Sequence, residues 1–169
     1  MGMRKIVLIG LFIAMTVAFQ MLGFPQLITG PVVNSMLLLS ALFTGAIGGV
    51  LVGIVTPWVA FVRGILLPPL APMIPFIMAG NAAYALSFYF CLRKLGDGAV
   101  GSSGGVVLGS LVKFILLSGA VRFLVSVPAP VAQAMQFPQL ITALLGGALA
   151  FPVAKMLKRP ALTEAPKTS

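Results

Sequence analysis

The sequence predicts an all-α integral membrane protein: a compact bundle of six transmembrane helices with both termini cytoplasmic. Three observations carry this. Of 169 residues, 60% are hydrophobic and only 8% are charged, whereas about 25% of a soluble domain is charged. Too little polar surface remains to coat a fold in water, and the mean hydropathy of +1.14 agrees. Apolar runs near span length, roughly 20 residues, recur along the whole chain. Six spans with short loops leave no length for a soluble catalytic domain. One substrate-binding domain, residues 1–160, is expected to hold all six, and residues 161–169 read as a disordered cytoplasmic tail with no assigned role.

The first span is expected at about residues 6–22. It lacks a small-residue cleavage site, so it reads as a span and not as a removable signal peptide. The second, about 32–43, is short and should extend at both ends. The third, about 47–62, is interrupted by Pro57. Gly45, Gly48 and Gly49 flank the turn between them, where glycine permits a tight connection and close helices. The loop at 66–75 carries four prolines, which fix φ and remove donors, so it should be a rigid apolar lid. The fourth span is placed at about 74–92, the fifth at about 106–124 and the sixth at about 140–156, with Pro152 near its end.

The cations set the orientation. Arg4 and Lys5 precede the first span, Arg93 and Lys94 follow the fourth, and Lys155, Lys158, Arg159 and Lys167 end or follow the sixth. With six spans all three clusters fall on one side, which the positive-inside rule makes cytoplasmic. The opposite loops hold no acids. Topology thus accounts for eight of the eleven cations behind the net charge of +9, so the basicity signals orientation and not nucleic acid.

Absent residues exclude much chemistry. Without histidine there are no imidazole metal sites, Ser-His triads or histidine proton relays. Cys91 is alone, and no phosphate-binding P-loop motif occurs. The two acids, Asp97 and Glu164, lie in polar stretches, which disfavours paired-carboxylate catalysis. No enzyme activity, metal or cofactor is expected in the chain itself.

An internal echo marks the outer side. Residues 20–29 and 133–142 share the form Q-x-x-x-F-P-Q-L-I-T. Each proline frees backbone groups at membrane depth, which is tolerated only inside protein or along a cavity. The two copies are either similar helix caps or two walls of one binding site. Gln26, Gln136 and Gln139 are the candidate ligand contacts from these segments. Asn34 and Asn81 are uncharged polar groups in apolar runs, each an interhelical tie or a ligand contact. Arg63 and Arg122 sit near outer span ends. They either snorkel to headgroups or grip an anionic group through paired hydrogen bonds. Lys113 is mid-span, where a charge costs at least ~2.5 kcal/mol. It must face protein or water, with Ser110 and Ser118 as nearby solvating groups. Lys113 and Arg122 fall on opposite helix faces and should not share a ligand. The excess of cations favours a neutral or anionic ligand.

The first span holds Ala14 and Ala18, an A-x-x-x-A pair that lets another helix approach closely. Such pairs usually pack within their own bundle. Six short spans, inward-facing ends, the run L-F-I-A-M-T-V-A and the stretch L-A-P-M-I-P-F-I-M-A-G-N together resemble the S components of energy-coupling factor (ECF) transporters, over nearly the full length. The resemblance implies a small integral protein of a prokaryotic-type cell membrane. It would bind a vitamin or related micronutrient under its outer loops and topple in the membrane to carry it inward. It also implies that a transmembrane coupling subunit docks at Ala14 and Ala18, and that two cytoplasmic ATPases consume the ATP. Two other readings stay open: a stand-alone secondary transporter, and a structural or assembly membrane protein.

Overall fold

The computed structural model describes residues 2–158; Arg159, Glu164, Lys167 and the tail at 161–169 lie outside the described residues. Among the described residues there are helices and loops and no strand. The helices are α1 (Met3–Met21), α2 (Gln26–Thr44), α3 (Ala46–Val62), α4 (Ile74–Leu95), α5 (Ala99–Gly119), a short α6 (Ala129–Ala134) and α7 (Phe137–Lys158). A 3₁₀ segment, Pro68–Met73, leads into α4, and a π-helical turn, Ala120–Leu124, extends α5. With these extensions, five helical segments are long and apolar enough to cross a membrane, and α3 is a shorter apolar helix.

The expected spans are all present as helices, with shifted edges. The second begins at Gln26, not near residue 32, because Pro25 is its N-cap and Pro31 sits within its second turn. Pro25 precedes the first turn and loses no intrahelical bond, whereas Pro31 forgoes the one its N–H would make four residues back, to Leu27 O. The fifth begins at Ala99, not near residue 106, so the Gly/Ser-rich stretch at 101–105 belongs to its first turns. The proline-rich lid is a 3₁₀ turn, and α6 has no counterpart among the expected elements.

Glycine contacts define how the helices run. A β-carbon added at Gly53 would lie 3.0 Å from Asn81, and one at Gly49 2.9 Å from Ala85, so α3 and α4 are antiparallel. On α5, Gly101, Gly105 and Gly109 lie four apart on one face. Added β-carbons at Gly105 and Gly109 would press on Phe88 and Tyr84 of α4. Gly30 meets Thr142 and Asn34 meets Gly146, so α2 and α7 are parallel. The two copies of the repeated motif therefore start neighbouring helices side by side. The turn between α2 and α3 passes through Gly45 at φ 90°, a left-handed angle that glycine tolerates. Gly48 and Gly49 serve packing instead, against Thr44 and Ala41.

Several polar residues are buried while many large apolar side chains are exposed. Buried polar residues include Thr16, Asn34, Ser40, Thr56, Asn81, Ser110, Lys113, Gln139 and Thr142. Exposed ones include Leu11, Met15, Trp58, Leu108, Ile115, Leu145 and Phe151. A continuous apolar exterior of this kind is compatible with a multi-pass membrane protein. One end of the bundle gathers Arg4, Lys5, Arg93, Lys94, Lys155 and Lys158. There Lys158 Nζ reaches Asp97 Oδ2 at 3.0 Å, tying α7 to the α4–α5 turn. Both groups are exposed, so the pair adds little stability.

Candidate functional site

At the other end, helix ends converge on a polar cavity of about 70 Å³. It takes Gln20 from α1, Gln26, Thr29 and Asn34 from α2, Thr56 and Pro57 from α3, Asn81 from α4, Lys113 from α5 and Gln139 from α7. Its apolar cover is Leu66, Leu70, Ile77 and Met135. Leu70, Ile77 and Met135 also belong to a small hydrophobic cluster built on Met73, Leu117 and Ala120, separate from the main core around Leu37, Leu38, Tyr84 and Phe88. The cover thus packs on the ends of α4 and α5 beside the cavity, away from the main core. Three prolines in six residues fix φ through the 3₁₀ segment and hold the turn without a side-chain cap.

Lys113 is the centre of the site. It is 3% exposed, and its Nζ donates to Asn34 Oδ1 at 2.6 Å across 79 residues of sequence. The same Nζ stands 5.7 Å from the centroid of the Tyr84 ring, within range of a cation–π contact. Tyr84 is fully buried and its hydroxyl donates to Ala143 O at 2.7 Å. One lysine thus links α2, α4, α5 and, through Tyr84, α7. Asn81 Nδ2 donates to Gly53 O at 3.2 Å, tying α4 to α3, while Asn81 Oδ1 has no donor. Gln20 Oε1 is likewise buried without a partner. Buried polar atoms normally find partners, so two orphaned acceptors beside one cation concentrate unmet hydrogen-bonding capacity in a single small space.

Of the residues singled out from the sequence, Gln26, Asn34, Asn81 and Gln139 come together here. Arg63, Arg122 and Gln136 do not line the cavity. Arg63 is exposed at the end of α3. Arg122 is exposed on the π-helical turn, 5.9 Å from the Phe123 ring. Gln136 is exposed and its Nε2 donates to Ala132 O. The separation of Arg122 from Lys113 agrees with their opposite helical phases. Ser118 does not solvate Lys113, because its hydroxyl donates to Phe114 O at 2.6 Å. Asn34 fills that role. Asn81 is an interhelical tie through its nitrogen and also one of the residues lining the cavity. Both copies of the repeat line the cavity, the first through Gln20, Gln26 and Thr29 and the second through Met135 and Gln139. Thr56 carries no signal in the sequence: its hydroxyl bonds back to Val52 O and only the fold brings it to the wall.

Ala14 and Ala18 lie on the exposed side of α1, and Gly10 extends their spacing one turn further. A β-carbon added at Gly10 would meet nothing within 4 Å. Of the five long helical segments, α1 is the least buried. Its packing face is Ile9, Phe12 and Thr16, so the small residues face away from the bundle.

A larger depression of about 700 Å³ opens at the basic end between α2, α4, α5 and α7. Its walls are Leu38, Leu42, Phe88, Leu92 and Phe151, and its charged groups are the exposed Asp97, Lys155 and Lys158 at the rim. It lacks the buried unpaired polar atoms of the smaller cavity. No family model, curated protein or solved structure matches this chain.

Proposed function

We propose that this chain is the substrate-binding subunit of an ECF-type ABC importer in a prokaryotic cell membrane. In this reading the basic end is cytoplasmic, both termini are inside, and the polar cavity faces outward. A vitamin-like micronutrient enters beneath the 3₁₀ segment and α6. A transmembrane coupling subunit docks on α1 at Ala14 and Ala18, with Gly10 continuing the stripe, and two cytoplasmic ATPases drive release. The chain itself performs no catalysis and holds no cofactor.

One observation carries the reading: α1 turns its small-residue stripe away from its own bundle, while the bundle closes a cavity rich in polar side chains at the end opposite its basic cluster. Small residues four apart drive close helix association in a membrane, and among the described residues no helix occupies that face. Ligand pockets run from about 300 to 1,000 Å³, so a cavity of about 70 Å³ must open to take a vitamin-sized molecule. In this reading the cover over the cavity, Leu66, Leu70 and Met135, is the part that would move.

The test is partner capture. Tagged protein purified gently from its native membranes should bring down a second integral membrane protein and two ATPases. Ala14→Trp with Ala18→Trp should abolish that capture and the associated uptake, without lowering thermal stability. Capture unaffected by both bulky residues, or a chain that purifies alone, would refute the docking role.

A further inference from the structure

We propose that the cavity is an anion site, in which Lys113 holds a carboxylate-sized group of a compact ligand that also carries N–H or O–H donors. The cation needs such a partner. Lys113 is buried mid-helix, and an ammonium withdrawn from water costs several kcal/mol unless it is paired and hydrogen-bonded. It can donate three hydrogen bonds but makes one, to Asn34 Oδ1. Among the described residues no acid supplies the missing charge. The chain has two acids in all; Asp97 is exposed at the opposite end, engaged with Lys158, and Glu164 lies beyond the described residues. Every other polar group named in the wall is neutral.

The rest of the wall specifies the remainder of the ligand. Asn81 Oδ1 and Gln20 Oε1 are acceptors without donors. The orientation of Asn81 is fixed by its nitrogen, which donates to Gly53 O, so its oxygen is the atom left for a guest. A carboxylate at Lys113 and a hydroxyl or amide hydrogen at these acceptors would satisfy all three groups. The two arginines are excluded from this role by position, since both are exposed and neither lines the cavity. That the anion belongs to an imported molecule rests on the importer reading; the anion site itself does not.

The cavity of about 70 Å³ admits a small probe without opening, so the test uses acetate. Purified full-length protein in detergent is melted with increasing sodium acetate or with acetamide, its neutral isostere. Ionic strength is held constant with the sodium salt of a bulky sulfonate. Acetate should raise Tm saturably, by roughly 2–4 °C, and acetamide should not. Glycolate, which adds one hydroxyl donor, should raise it further. Lys113→Met should abolish the acetate response and Arg122→Gln should retain it. Should Lys113→Met fail to fold, the acetate–acetamide difference in the unaltered protein decides. Equal responses to acetate and acetamide, no response to either up to high millimolar concentration, or a response that survives in Lys113→Met would each overturn the site. Glycolate no better than acetate would remove the donor requirement. Partner capture without an acetate response rejects the anion site and leaves the importer reading standing. An acetate response without partner capture does the reverse.

Discussion

Tyr84 does two things from one position: its ring underlies the Lys113 ammonium and its hydroxyl bonds Ala143 O. The two roles can be separated. Tyr84→Phe keeps the ring and removes one interhelical hydrogen bond, worth on average about 0.6 and at most about 1.7 kcal/mol inside a membrane. The expected fall in Tm is roughly 2–5 °C. Tyr84→Leu also removes the aromatic face and should cost more. Thermal unfolding in detergent measures both, and an unchanged Tm for Tyr84→Phe would take the hydroxyl out of the clamp. The sequence made part of this site readable. A lysine mid-span demands a partner, and that demand is visible in one residue and its depth. The identity of the partner is not, because Asn34 lies 79 residues away and meets Lys113 only once α2 and α5 pack. Arg63 and Arg122 show the opposite case: their charge suggests a ligand, but their helical phase turns them out of the cavity.

The contact between α4 and α5 depends on glycines whose roles differ by position. Alanine at Gly109 would place its β-carbon 2.8 Å from Tyr84 Cδ2 and 2.9 Å from Tyr84 O, against ring and backbone alike. Backbone cannot give way cheaply, so Gly109→Ala should destabilise by about 1–3 kcal/mol through overpacking. At Gly104, five residues earlier, the nearest atom is the flexible Leu95 Cδ1 at 3.9 Å. There the usual helix preference for alanine should prevail, and Gly104→Ala should stabilise by about 0.5–1 kcal/mol. Opposite signs in unfolding measurements confirm the face; two gains, or two losses, would contradict it. Apolar runs located every long helix, because a run of span length has one main use in this composition. They missed the first turns of α2 and α5. Gln26, Thr29, Ser102 and Ser103 are polar, and helix membership there is decided by satisfied backbone and by neighbours, not by hydropathy. The short α6 has no periodicity long enough to read, and its place depends on the cover it helps to build.

The whole molecule has two unlike ends, and the function proposed for it requires that they face opposite sides of a membrane. Arg4, Lys5, Arg93, Lys94, Lys155 and Lys158 crowd one end, and the cavity lies at the other, where the charged residues among those described are Arg63, Arg122 and the buried Lys113. Clusters of Lys and Arg resist translocation, so the basic end should stay in the cytoplasm and the cavity should open outward. The sequence already carried this polarity, since helix count and cation positions suffice for it. Single-cysteine labelling in intact cells tests it. The native thiol is removed as Cys91→Ser. Gly98→Cys then marks the basic end, at an exposed site with extended backbone (φ −74°, ψ −178°) and nothing within 4 Å of the new side chain's β-carbon. Ser126→Cys marks the exposed loop after the π-helical turn. A membrane-impermeant maleimide should label Ser126→Cys in intact cells, and Gly98→Cys only after permeabilisation. The reverse pattern would turn the cavity toward the cytoplasm and defeat capture from outside. Labelling of both positions in intact cells would mean that the charge asymmetry fails to fix one orientation, and a chain inserted both ways could not present a single docking face on α1 to a coupling subunit.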